Sequence, residues 1–264
     1  MKKIIIAVEA LILCALIITF ITVIIPKAHM AETEAGLTKK PLPKEPVVID
    51  FEYDPLADLR VDNVSSVQMF TYFSEVVNNA EYSSGAYVHQ LVQKWQEPIT
   101  YRIYGDPTEK DMEILLAFFD ELNSIYYFPG IYEVENEEEE NLSIYFIDRN
   151  LFDITFGDVI NNELADGAAE FWFYTDTSEI YKGRVGYVTE TSQEIRNSVL
   201  IEEIVNVLGL SDTYIREDSI VYQYSSDVLE PSEVDWAIIK SLYHPLIEPG
   251  MTADECLSTP IFNY

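Results

Sequence analysis

One uninterrupted apolar run, Ile4 to Ile25, decides how much of this chain is left to fold in water. Its length of about 22 residues, at about 1.5 Å rise per residue, matches a hydrocarbon core about 30 Å thick. Lys2 and Lys3 precede the run, and its single charge, Glu9, lies close enough to that end to reach the headgroups. Pro26-Lys27-Ala28-His29-Met30-Ala31 offers imperfect signal-peptide cleavage sites, so residues 1–26 are expected to form an uncleaved signal anchor. Cys14 follows Ile12-Leu13 instead of a small residue, which argues against lipidation there. The leading lysines favour a cytoplasmic N-terminus, leaving the rest of the chain outside the cytoplasm and held to the membrane through residues 4–25.

Residues 27–46, with Lys39-Lys40-Pro41-Leu42-Pro43-Lys44, are too poor in apolar side chains to fold alone and read as a linker. Residues 47–264 are then long enough for one globular domain. Cys256 is the only cysteine beyond the apolar run, so no disulfide can form within that domain and an apolar core must hold it. The chain carries 16 Lys and Arg against 46 Asp and Glu, a formal net charge of −30. Such a field repels phosphate backbones and anionic lipid surfaces and attracts cations or basic partners, which excludes nucleic-acid binding.

Helical spacing runs from Asn63 to about Asn79, and Ile99 to Tyr104 alternates as a strand. Asp106-Pro107-Thr108-Glu109 reads as a helix start with Pro107 in the first helical position. The apolar face of that helix would be Met112, Leu115, Leu116, Phe119 and Leu122. Extended pieces at Ile131 to Val134 and Leu142 to Ile147 flank an acidic run, expected to be a solvated hairpin loop because it lacks the ligand spacing and glycine of a calcium loop. Glu170 to Tyr174 and Arg184 to Thr189 read as paired strands around a turn at Lys182-Gly183. Thr191 and Glu194 form a candidate capping box for the next helix.

That helix carries Ile201-Glu202-Glu203-Ile204-Val205-Asn206-Val207-Leu208-Gly209-Leu210-Ser211-Asp212. Its layout is that of the metzincin motif H-E-x-x-H-x-x-G-x-x-H/D, in which two helical histidines bind zinc and the glutamate between them activates water. Glu202 and Asn206 stand where the histidines would be, Glu203 at the general-base position, Gly209 at the turn and Asp212 at the last ligand position. Asp218 to Val221, Val234-Asp235 through Leu242-Tyr243-His244-Pro245, and Pro249-Gly250-Met251-Thr252 follow. Together with Trp95, Pro98 to Ile103 and Asn141 to Ile144 upstream, these residues resemble the bacterial domain of unknown function family 2927 over roughly residues 85 to 256. The resemblance implies an α+β, metzincin-like (zincin-like) domain, a mixed β-sheet packed on helices, carried by an envelope protein and degenerate as a zinc peptidase.

Glu202, Asn206 and Asp212 offer oxygen alone, which suits calcium, magnesium or manganese better than the imidazole-seeking zinc. No cofactor is expected, a weakly held divalent cation is the candidate ligand of those three, and stoichiometric zinc is not expected. A plainer reading puts Glu202 and Glu203 on the polar side of an amphipathic helix whose apolar side is Val199, Ile204, Val207 and Leu208, with Gly209 as a positive-φ cap. His29 and His89 lie outside the motif, and His244 follows a helix whose end favours a cation. No Gly-x-Ser-x-Gly elbow or phosphate-binding glycine loop occurs. The expectation is a membrane-anchored extracytoplasmic protein that binds an envelope partner without catalysis. The alternative is a metal-dependent peptidase with Glu203 as general base.

Overall fold

The computed structural model describes residues 56–78, 91–157, 159, 165–225 and 227–263. They belong to one compact unit within Val47–Tyr264, while the expected anchor and linker, His29 and His89 lie outside the described residues. Among the described residues no helix is long and apolar enough to cross a membrane.

In chain order the elements are α1 (Ser66–Asn78), β1 (Lys94–Trp95), β2 (Ile99–Gly105), α2 (Glu109–Ser124), β3 (Ile131–Glu133), β4 (Leu142–Ile147) and α3 (Arg149–Phe156). Then come β5 (Gly167–Phe173), β6 (Glu179–Val188), α4 (Gln193–Val207), α5 (Glu233–Tyr243) and α6 (Ala253–Leu257). Strands β3, β2, β4 and β6 run parallel in that spatial order, β5 adds antiparallel to β6, and the short β1 pairs parallel with the start of β6. This is a mixed sheet with helices on it, as expected, and strongly parallel.

Alternation along the strands sorts the two faces. Tyr101, Leu142, Ile144, Phe146, Val185 and Tyr187 face the main core, where Tyr101 meets Phe119 of α2 at 4.8 Å between ring centres and Tyr187 Oη donates to the Leu200 carbonyl of α4 at 2.8 Å. Ile147, Ala168 and Val188 face the other way and pack with Phe152 and Phe156 of α3. Burying each such phenylalanine contributes roughly 1.5–3 kcal/mol. Helix α1 docks its Phe70 and Phe73 on Phe262 from the far end of the chain, with ring centres 5.3 and 4.9 Å apart.

Several sequence expectations are corrected. Thr108, not Pro107, sits at the boundary of α2. It caps the helix in a box with Asp111, and Phe118 replaces the exposed Leu116 on the buried face. Strands β3 and β4 are not a hairpin: β2 lies between them and pairs parallel with both. The acidic run therefore crosses β2 near its start. Asn141 ties it down, accepting from Thr100 N at 2.7 Å and donating to Pro98 O at 2.9 Å. Lys182 and Gly183 lie inside β6, and the turn from β5 falls at residues 175–177, closed by Ser178 N donating to Tyr174 O at 2.7 Å. Helix α4 is capped by Ser192 instead of Thr191, whose hydroxyl donates to Asp166 at 2.6 Å.

Candidate functional site

Helix α4 starts from a buried ionic latch. Arg196 Nε donates to Asp111 Oδ1 at 2.9 Å, with both side chains nearly inaccessible. The remaining guanidinium nitrogens donate to the carbonyls of Thr189 and Thr191 and to Gln193 Oε1. Asp111 also accepts from Gln193 Nε2 and from Thr108 N. Burial alone would push the Asp111 carboxyl up, but the hydrogen bonds from Arg196, Gln193 and Thr108 outweigh it and hold the group below its usual range.

At its other end α4 is stopped with equal care. Trp95 Nε1 donates to Val207 O at 2.9 Å and Tyr243 Oη to Leu208 O at 3.0 Å, so two C-terminal carbonyls find side-chain donors. Gly209 then adopts φ +105, and an added Cβ would lie 2.1 Å from the Gln93 carbonyl oxygen. The expected positive-φ glycine is present, and close backbone approach is a second reason for it. Ser211 N donates to Val76 O at 2.6 Å, and Glu75 of α1 accepts from Thr213 Oγ1 and Tyr214 N. These bonds fold the chain back so that Asp212 returns to α4.

There Asn206 Nδ2 donates to Asp212 Oδ1 at 3.2 Å. The buried Asn206 Oδ1 has no hydrogen-bond partner. Glu203 is buried at 9 % exposure, which corrects the reading that places it on an open polar face; Glu202, half-buried, fits that reading better. Room for the Glu203 carboxylate comes from Gly167 of β5, where a Cβ would fall 2.7 Å from Glu203 Oε1 and 2.3 Å from Val199. The negative charges of Glu203, Asp111 and Glu202 add to burial in pushing the Tyr187 hydroxyl well above its ordinary range.

The structure thus brings Asn206 and Asp212 together and sets Glu203 one residue along the helix from Glu202, against the edge strand. Among the described residues, no group of three His, Cys, Asp or Glu is arranged to hold a metal. The donor set does not suit zinc: a carboxylate and an amide stand at the two helical positions where imidazole would bind it.

His244 is also corrected. As the C-cap of α5 it donates its backbone N–H to Ser241 O, its Nδ1 accepts from Leu246 N at 3.1 Å, and burial, helped by the Lys94 charge, pushes it down to about 4. The cation at that helix end is Lys94. Its ammonium donates to Leu242 O at 2.8 Å, His244 O at 3.4 Å and Ile247 O, although burial pulls it down to about 7. Sequence reasoning missed Lys94, the Arg196–Asp111 latch and Gly167. No local period marks them: β1 is two residues long with both buried, and Gly167 opens β5 beside the equally buried Ala168.

Ser219 and Tyr72 both donate to the buried Asp235, whose other oxygen accepts from Ile220 N and Ser232.

A comparison with curated proteins gives no match. A family does match, over residues 66–259, from α1 through the latch, the Glu203 helix and α5 to the end of α6. Its description is "Protein of unknown function (DUF2927)", and the chain belongs to that family.

Proposed function

We propose that this chain is a membrane-anchored extracytoplasmic binding protein, built on a metzincin-like domain without zinc chemistry. The observation that supports the reading is the Asn206–Asp212 pair, in which the amide at the second histidine position donates to a carboxylate where a zinc peptidase would offer an imidazole nitrogen. The metzincin-like fold is supported by a mixed sheet whose antiparallel edge strand β5 leads through β6 into the helix bearing Glu203.

Helix α4 packs on β5, with Glu203 against Gly167 and the half-buried Glu202 beside it, so negative charge lies close to this edge of the sheet. Among the described residues no strand pairs with the outer edge of β5. An extended segment of an envelope protein, rich in N–H donors and positive charge, would add there by strand pairing. Residues 4–25 would hold the chain to the membrane with this domain outside the cytoplasm. Protease shaving of intact cells should then remove the domain; full protection in an accessible envelope would reverse the orientation.

The full chain in detergent should hold no stoichiometric zinc after dialysis and should bind basic extended peptides without cutting them in zinc, calcium or manganese. Cleavage by the natural chain that disappears in a normally folded Glu203→Gln variant would establish the peptidase reading, since a general base contributes typically 10²–10⁴-fold.

A further inference from the structure

A groove lies away from the motif. It encloses roughly 330 Å³ between α2 and the start of α5, closed on its third side by Leu229-Glu230-Pro231, and neither Glu203, Asn206 nor Asp212 lines it. Its size is at the lower end of small-ligand sites. Glu113, Ala117 and Glu121 recur at every fourth position of α2 and so share one face, with the small Ala117 leaving space between two carboxylates. The floor is half-buried Ile114 and Trp236, backed by the buried Phe118 and Ile201, with the Trp236 ring centre 5.4 Å from that of Phe118.

The rim therefore carries Glu113, Glu121 and Glu230 against one cation, Lys110, whose Nζ already rests 3.0 Å from Glu113 Oε2. In a chain of net charge −30, anions are excluded from such a groove. A neutral apolar ligand would use the floor and leave the rim unaddressed. A ligand with ammonium groups on an aliphatic stem satisfies both, laying methylenes on Ile114 and Trp236, with a cation near the indole face. Glu113 and Glu121, eight residues apart, stand about 12 Å from each other along the helix axis. That is the reach of an extended linear triamine.

We propose that this groove binds a linear aliphatic polyamine, with one terminal ammonium between Glu121 and Glu230 and the other at Glu113 in place of Lys110. The site is independent of the proposed peptide pairing at the edge of β5.

The test is calorimetric titration of the full chain in detergent with spermidine at physiological salt. One saturable site is expected, and the Glu121→Gln/Glu230→Gln double variant should weaken it at least about tenfold. Trp236→Leu should also weaken it, and Lys110→Met should tighten it by freeing Glu113. Glu135→Gln/Glu138→Gln, the same charge change on the distant acidic run, should leave it unaltered. The groove residues changed are exposed or half-buried, so thermal melts separate lost binding from lost fold. Equal weakening by the distant pair would reduce the effect to bulk charge and overturn the proposal. So would equal binding of an aliphatic diol of the same length, or unsaturable uptake.

Discussion

The two ends of α4 handle buried polarity in opposite ways. At the N-terminal end Arg196 places its donors on Asp111, Gln193 and two carbonyls. At the C-terminal end Asn206 spends one donor on Asp212 and leaves a buried oxygen over. Polar groups that serve packing alone are normally satisfied, because an unmet buried acceptor costs about 1–3 kcal/mol. The contrast separates a saturated latch that joins α2 to α4 from a helix end with one acceptor unmet, a lack it shares with the buried Ser198 hydroxyl in the middle of α4.

The largest test of this contrast is Arg196→Leu, which strands the Asp111 charge. It should cost about 3–5 kcal/mol in urea unfolding, whereas Arg196→Met combined with Asp111→Leu should recover most of the loss. A double variant as unstable as the single one would show that packing, not the orphaned charge, sets the effect.

His244 extends the comparison to α5. Its folded value of about 4 lies below the ordinary 6.5, so the unfolded chain takes up a proton that the native chain refuses. Stability is then fully present above about 6.5 and falls as pH drops toward 4, by roughly 3 kcal/mol. His244→Gln should flatten that part of the pH profile; an unchanged slope would assign it to other groups.

A smaller effect, about 2 kcal/mol, is expected from Gly209→Val, which combines a positive φ with a collision at the Gln93 carbonyl. Thermal melts would show it. The smallest should come from Asn206→Leu, no more than about 1 kcal/mol, since it removes an unmet acceptor along with one hydrogen bond. A loss there as large as at Arg196 would erase the distinction between the two ends.

What the amino-acid order disclosed follows the range of each interaction. Helix α1, strands β2 and β4 and the Gly209 cap depend on periodicity or local φ, and all are legible in short windows. The Arg196–Asp111 latch joins residues 85 apart, and the insertion of β2 between β3 and β4 is a pairing choice that alternation alone leaves open. At the candidate site the motif fixes which residues share the helix, but the burial of Glu203 depends on a glycine in a strand before β6. The cation expected from His244 came from Lys94 because three carbonyls at the end of α5 solvate an ammonium that reaches them from a strand nearly 150 residues earlier.

Cys256 lies wholly inside the core, and burial, with the Glu255 charge, pushes its thiol up to about 11. A thiol so placed is both screened and protonated, and reagents meet it as a thiolate only after the surrounding packing opens. Alkylation of this sulfur would thus serve as a clock for global opening. Its rate should follow the opening equilibrium when reclosing is fast and the unfolding rate itself when labelling outpaces reclosing.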